Sequence, residues 1–499
     1  MELGTVASLV LAVLISCLLF IGIWRKVLQE KNLPPGPTPF PLVGNLPQVK
    51  RTGLVTYLRS LYDVYGPVFT IYMGPRRVVV ICGYDALKEA FIDQGDDFVS
   101  RGRVPVFERV FRNSGVSMSN NERWKQLRRF TIMTLKNLGM GKRLLEDKIT
   151  EEAKCMVDFF RNTNEQFCEP SIGLYPAAVN VIYSITCGER FDYEDEKLHI
   201  LLKALSDGFI TVSSIWGQLY DIFPWIMYYL PGPHNRMFKI FLDFEDLLLE
   251  QVKLHQKTLD SSSARDFIDC YLIRKEQEKH KPSSEFSIND LVPTLMDIIF
   301  GGLETVPMIM THGILYLLKH PDVQKNVHEE IDREIGQHCN PSYEDRNKMP
   351  YTNAVIHEIL RIADIFPMGI NHAVVSNTQF RGYTIPKGTD VMYLLSTVLK
   401  DRKYFKDPDS FNPERFLDEN GAFKTNNASV PFSLGKRNCL GEGLARMEIF
   451  IFLTTILQNF ILKSAVDPKD IDLTPQEIGI ESVAPIYKLS FVPRQGKQD

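Results

Sequence analysis

Residues 431–448 read Pro-Phe-Ser-Leu-Gly-Lys-Arg-Asn-Cys-Leu-Gly-Glu-Gly-Leu-Ala-Arg-Met-Glu, placing one cysteine, Cys439, between a glycine-bearing turn and a predicted helix that begins near Leu440. Amides at a helix start have no intrahelical acceptor, so they are expected to face the sulfur and favour its ionised form. Arg437 adds positive charge nearby, which is expected to lower the thiol pKa further. A phosphatase-like nucleophile requires Cys-x5-Arg, but the next arginine, Arg446, comes one position late. A zinc site needs more cysteine or histidine close by, and the segment has none. Iron in a haem needs one protein thiolate on its proximal side. A structural cysteine capping a helix is the alternative reading. Gly441-x-Gly443-x-x-Arg446 lacks the third glycine and the preceding strand of a dinucleotide fingerprint.

The rest of the chain narrows the choice. Its 499 residues are 44% hydrophobic and 24% charged, the balance of a globular protein with a large buried core, which excludes disorder, collagen and a multi-span transporter. Lys+Arg 57 against Asp+Glu 61 leaves a net charge of −4, so no basic excess points to nucleic acid and no nucleic-acid partner is expected. The eight cysteines carry no CxxC pair, and the ten histidines no HExxH, which argues against a disulfide scaffold and a zincin helix.

From Leu3 to Trp24 runs an uncharged stretch long enough, at ~1.5 Å per residue, to span the ~30 Å of bilayer hydrocarbon. Arg25, Lys26 and Lys31 follow it and only Glu2 precedes it, so the positive-inside rule puts the remainder on the cytoplasmic side. A cleaved secretory signal would need a charged start and a small-residue cleavage site, and neither is visible. Leu33-Pro34-Pro35-Gly36-Pro37, with Pro39 and Pro41, then forms a stiff joint. The expected organisation is an anchor over 1–25, a proline-rich hinge over 26–45 and a single body over 46–499.

Within that body, 68–82 reads as a β-hairpin and 379–392 as a second short strand region, each around a turn. Helical periodicity covers 121–136, 145–160, 239–257, 289–319, 321–335 and 352–362. The predicted class is mainly α with small β-sheets (α+β). The stretch 289–319 is apolar nearly all round, the mark of a buried helix, yet carries Asp297, Glu304 and Thr305. Such acidic residues are expensive in lipid, which weighs against a second membrane span. Pro307 deprives the Leu303 carbonyl of its helical donor, and Gly301-Gly302 thins the same turn, so a groove is expected mid-helix. Glu304 and Thr305 suit proton passage there. A kinked core helix whose threonine bonds back to a carbonyl remains equally open.

Phe432-Ser433-x-Gly435-x-Arg437-x-Cys439-x-Gly441 resembles the haem-binding signature of the cytochrome P-450 superfamily. Glu358-Ile359-Leu360-Arg361 resembles its ExxR motif, and Pro413-Glu414-Arg415-Phe416 the segment whose arginine joins that pair. Gly301-Gly302-Leu303-Glu304-Thr305 resembles the oxygen-activating stretch; Leu303 and Val306 stand where relatives often carry threonine. The texture is similar to family two of the vertebrate enzymes, and the motifs run in family order along essentially the whole chain.

The resemblance implies a P-450-like fold with haem b between the long central helix and the Cys439 segment. Cys439 would be the axial iron ligand, and Phe432 would belong to the haem-binding segment. Arg101, Trp124, Arg128, His372 and Arg437 would hold the haem propionates. Glu304 and Thr305 would be the catalytic, proton-delivering pair, and Glu358, Arg361 and Arg415 a buried scaffold triad. Implied too are monooxygenation of lipophilic small molecules (xenobiotics, fatty acids or steroids) and residence on the endoplasmic reticulum membrane, facing the cytosol. The chain has no nicotinamide or flavin fingerprint, so electrons would come from an NADPH-dependent flavoprotein reductase, with a microsomal cytochrome b as a further partner. Lys436 and the Arg123/Lys125/Arg128/Arg129 helix offer a cationic docking face. Positions resembling substrate contacts are Val104, Ser117, Met118, Phe300, Gly301, Phe366, Ile370 and Ile480, and Arg103, Arg109 or Arg112 could meet a fatty-acid carboxylate. Competing readings are a haem-thiolate isomerase or dehydratase working on peroxides without external electrons, and a non-catalytic haem sensor.

Overall fold

The computed structural model describes residues 32–49, 53–140, 143–478 and 481–494. The 1–25 anchor, the start of the hinge and Ile480 lie outside the described residues. The chain divides into two compact units, one formed by residues up to Arg103 together with Ile370–Leu394, the other by Val104–Gly369 and Leu395 onward.

The first unit is built on β-branched sequence. Helix α1 (Leu54–Tyr65) packs beside the hairpin of β1 (Val68–Met73) and β2 (Arg76–Cys82), whose register pairs Val68 with Ile81 and Met73 with Arg76. Gly74, at φ 62°, makes the turn, in backbone territory that favours glycine. Farther along come β3 (Ser100–Arg101), β4 (His372–Ala373), a separate hairpin of β5 (Thr378–Phe380) and β6 (Tyr383–Ile385), and β7 (Asp390–Leu394). The main sheet has the order β1-β2-β7-β4-β3, with β7 parallel to β2. The region 379–392 is therefore two things: an isolated hairpin and a strand inserted beside β2. Alternation alone reports strand character, whereas pairing depends on partners about 300 residues away in sequence.

The second unit is helical. Its elements include α2 (Gly115–Met118), α3 (Asn121–Asn137), α4 (Arg143–Arg161), α5 (Ser171–Thr186), α6 (Pro233–Thr258), α7 (Phe267–Glu278), α8 (Ile288–Lys319), α9 (Pro321–Glu334), α10 (Pro350–Ala363) and α11 (Glu442–Asn459). Four strands form two small antiparallel pairs near the end, β8 (Phe460–Ser464) with β11 (Leu489–Pro493), and β9 (Gln476–Ile478) with β10 (Glu481–Val483).

Helix α8 organises this unit. Ser287 caps it, its hydroxyl accepting from the Asp290 amide at 3.2 Å, and Pro321 opens the next helix straight after it. It is long and apolar enough to cross a bilayer, but most of it is buried against α2, α5, α6, α9, α10 and α11. Two glycines permit the closest approaches. A Cβ on Gly302 would lie 2.2 Å from Ile182 of α5, and one on Gly313 would lie 3.0 Å from Ile359 of α10. Asp297 is satisfied locally: it accepts the Val116 and Ser117 amides at 2.7 and 2.9 Å and the Ser117 hydroxyl, holding the start of the four-residue α2.

Candidate active site

The Cys439 segment is shaped by its backbone. Ser433 (φ 64°) and Gly435 (φ 77°) turn the chain, and the Cys439 amide closes the loop onto the Phe432 carbonyl at 2.9 Å. The Phe432 ring lies under the Arg446 guanidinium, 4.9 Å from its centroid. Arg446 also bonds Glu442 at 3.0 Å, so it serves the turn of α11.

Cys439 is exposed, yet burial by the surrounding protein is the largest influence on its ionisation. The amides of Gly441 and Glu442 bond the sulfur and favour the thiolate, as helix-start geometry predicts. The expectation of a lowered pKa is nevertheless corrected. Desolvation outweighs these donors and pushes the free thiol up, Glu442 adds repulsion, and the cation acting on the sulfur is Arg128, not Arg437. A metal bound at the sulfur would hold it as thiolate.

Three glycines of the two motifs border open space. A Cβ on Gly301 or Gly443 would meet nothing within 4 Å, and one on Gly441 would meet only the Cys439 Sγ at 4.0 Å. Gly301 is exposed in the middle of an otherwise buried helix, with Glu304 and Thr305 half-buried beside it. The Thr305 hydroxyl donates back to the Gly301 carbonyl at 2.7 Å, and Glu304 accepts from Tyr175 Oη of α5 at 3.0 Å. Acid and alcohol are thus each engaged elsewhere in this conformation. Burial raises the Glu304 pKa, opposed by the Tyr175 bond.

Three of the expected cofactor-binding residues cluster in this unit. Arg128 donates to the Asn438 carbonyl and side-chain oxygen at 2.9 and 2.7 Å, next to Cys439. Arg437 is buried, stacks 3.9 Å over the Trp124 ring and donates to Ser119 O at 2.7 Å and Asn120 Oδ1 at 3.0 Å. These acceptors orient the guanidinium. Trp124 Nε1 is buried with no acceptor. An orphaned donor of this kind costs roughly 1–3 kcal/mol, which a ligand acceptor would remove. In the first unit, β3–β4 pairing sets Arg101 opposite His372. Arg101 donates to Ile370 O at 3.1 Å, and His372, buried and stacked 4.5 Å from Phe91, has its Nδ1 2.6 Å from Phe98 O, which accepts only, so the proton sits on Nδ1.

The scaffold triad is fully assembled. Glu358 and Arg361 both have side chains at 0% exposure and form a fork, with Nε–Oε2 and Nη2–Oε1 each 2.7 Å. Arg415 Nε reaches Glu358 Oε1 at 3.0 Å, and Arg361 also donates to the carbonyls of Leu399, Pro408 and Ser410.

The Cytochrome P-450 family profile matches residues 34–490, over nearly all of this architecture. The chain belongs to the cytochrome P-450 family. It is 48% identical to cytochrome P-450 2G1 of Oryctolagus cuniculus over 494 residues, covering 99% of this chain and 100% of that one. It is 48% identical to cytochrome P-450 2C55 of Mus musculus (97% and 99% covered) and 47% identical to cytochrome P-450 2A13 of Homo sapiens (98% and 99%). This P-450 is a haem-thiolate monooxygenase, an oxidoreductase whose haem iron takes a cysteine thiolate. The residues around Cys439 fit that group: a sulfur with two amide donors, glycines bordering open space, and a buried indole N–H lacking an acceptor.

Sequence reasoning missed Tyr175 and Glu481, which surround Glu304. Neither lies in a motif, and their proximity arises only when α5 and β10 pack near α8. It also overstated the docking face, because Arg123 pairs with Glu285 at 3.0 Å, Lys125 with Glu122 at 2.7 Å, and Arg128 points inward to Asn438.

Proposed function

We propose that this P-450 oxidises neutral lipophilic small molecules, held on the endoplasmic reticulum membrane by its 1–25 segment and supplied with electrons by an NADPH-dependent flavoprotein reductase. The observation that carries the substrate class is an aromatic wall. Phe300 of α8, next to open Gly301, meets Phe111, Phe241 and Phe244 with ring centroids 6.4, 5.6 and 5.2 Å away. Such a surface gains from apolar contact and offers a charged ligand nothing. Two of the three arginines weighed as carboxylate anchors support neutrality. Arg112 is forked onto Glu245 at 2.7 and 2.8 Å, and Arg109 is enclosed by Phe238, Tyr228 and Tyr220.

In this reading Cys439 would supply the thiolate that holds the haem iron, and the Gly441 and Glu442 amides restrain its charge. Trp124, Arg128 and Arg437, all in the second unit, would donate to haem carboxylates. When bound, the haem supplies dioxygen activation, one oxygen atom entering the substrate and the other leaving as water. Glu304 and Thr305 would hold and pass protons beside the open face of the helix at Gly301. The apolar neighbours Leu303 and Val306 keep water scarce there, so the two polar groups control proton access. Exposed Arg129 and Lys436 form the cationic face for the reductase.

The test is reconstitution with reductase, NADPH and a panel of neutral and carboxylate-bearing lipophiles, with mass detection. NADPH-dependent products from the neutral set support the reading. Peroxide rearrangement without NADPH would favour an isomerase, absence of any turnover a sensor, and preference for the carboxylates would overturn the substrate class.

A further inference from the structure

Behind the acid of α8 lies a second layer of ionisable groups. Tyr175 Oη donates to Glu304 Oε2 at 3.0 Å across the tight α5–α8 contact. Tyr175 also lines a cleft of about 130 Å³, together with Glu169, Ser171, Thr311, Tyr487 and the segment that leaves β10. Its rim is reached by solvent at Ile486, which is 81% exposed, and Tyr487 is fixed across it by donating to Thr311 O at 2.6 Å. Glu481 of β10, two residues before the cleft-lining Val483, acts electrostatically on both Tyr175 and Glu304, and its strand is tied to the core by the Ser482 amide donating to Ile365 O at 3.0 Å.

We propose that Tyr175 and Glu481 are positioning residues for Glu304: protons reach the acid from the cleft along Tyr175, and Glu481 shares one proton with it. The inference rests on the monooxygenase reading and deepens it. As water in the cleft protonates the tyrosine oxygen, the tyrosine passes its own proton to Glu304, which releases one toward Thr305. One proton enters, one leaves, and no charge accumulates.

The electrostatics agree with the geometry. From α5 the ionisable group facing Glu304 is Tyr175, and from β10 it is Glu481. Among the described residues no lysine, arginine or histidine acts on either carboxyl. Two buried carboxyl groups without a cation cannot both ionise cheaply. Burial and the Glu304 charge raise Glu481 to about 7, whereas the Tyr175 bond draws Glu304 down against its burial.

The experiment is infrared spectroscopy of the haem-loaded enzyme from about pH 5 to about pH 9, reading the deuterium-sensitive stretch of protonated carboxyl groups. Wild type is expected to show a band titrating near neutrality. Glu304→Gln should move its midpoint down by roughly one unit, as a like charge is removed, and Glu481→Gln should also move it down, since the carboxyl left behind no longer faces a like charge. Tyr175→Phe should move it up, as the bond favouring the carboxylate is lost. Glu481→Ala and Tyr175→Leu provide second variants at each position. In turnover, the same changes should raise the ratio of oxygen consumed to product formed and shift its pH profile in step with the band. A midpoint that ignores Glu304→Gln, or no titrating band in wild type, overturns the proposal. Because the band needs no turnover, an enzyme inactive toward every substrate but keeping this pattern would refute the monooxygenase reading alone.

Discussion

Glu358→Gln is close to isosteric but removes the one carboxylate that, among the described residues, contacts the Arg361 guanidinium. That guanidinium is wholly buried and would retain only neutral acceptors, the carbonyls of Leu399, Pro408 and Ser410. Arg415, with its side chain 10% exposed, would lose the same partner and become a second cation beside the first. Breaking a buried pair from one side costs about 3–5 kcal/mol, a large part of the ~5–15 kcal/mol that folded proteins typically hold. Arg361→Met should cost a similar amount, because it strips donors from two close carbonyls while Glu358 keeps Arg415 and the Asn412 amide, 2.9 Å away. The double variant should cost less than the two singles together, by roughly 1–3 kcal/mol, since each single leaves behind a group that the other change removes. Urea unfolding followed by tryptophan fluorescence measures this, with a midpoint drop of about 1 M expected for each single. A Glu358→Gln variant losing under about 1 kcal/mol, or singles that add to the double within about 0.5 kcal/mol, would refute the view that this pair is a buried, mutually dependent unit.

Adjacent glycines should behave oppositely. Gly302→Ala forces a Cβ against Ile182 and should cost roughly 1–3 kcal/mol, whereas Gly301→Ala meets open space and should match or slightly exceed wild-type stability; thermal unfolding of both decides. Cys439→Ser should fold but lose the long-wavelength band of the reduced carbon-monoxide spectrum, and a retained band would remove Cys439 as the iron ligand. His255 donates from Nε2 to buried Asp266 at 2.8 Å, and that bond raises its pKa above the ordinary histidine value. A raised folded pKa gives stability that is present in full below the unfolded value of about 6.5 and lost as pH rises through the folded one. His255→Gln should therefore lower the urea midpoint more at about pH 5.5 than at about pH 9, and an equal loss at both would show the contact to be neutral.

Much of the architecture was legible locally. Apolar periodicity over 289–319 and 121–136 anticipated α8 and α3 to within a residue at each end, and Ser287 and Pro321 mark where α8 starts and where its successor begins. Periodicity over 239–257 fell short of α6, which starts at Pro233, because the first turn there is marked by a proline at N1 and not by apolar spacing. The strand pairs β9–β10 and β8–β11 went unread, since strands of three to five residues carry too few alternations to stand out.

The sequence by itself determined the Cys439 turn, the glycine-bearing α8 and the Glu358/Arg361 spacing, because each depends on neighbours within a turn or two of chain, where φ preferences, helix period and capping act directly. Only the tertiary structure decided which partner each polar group meets. Glu304 turns to a tyrosine 129 residues away, Asp297 holds a helix 181 residues earlier, and Arg112 is claimed by Glu245. Such choices follow from how α5, α6 and α8 pack as bodies, and a buried polar group takes whichever partner that packing brings within reach.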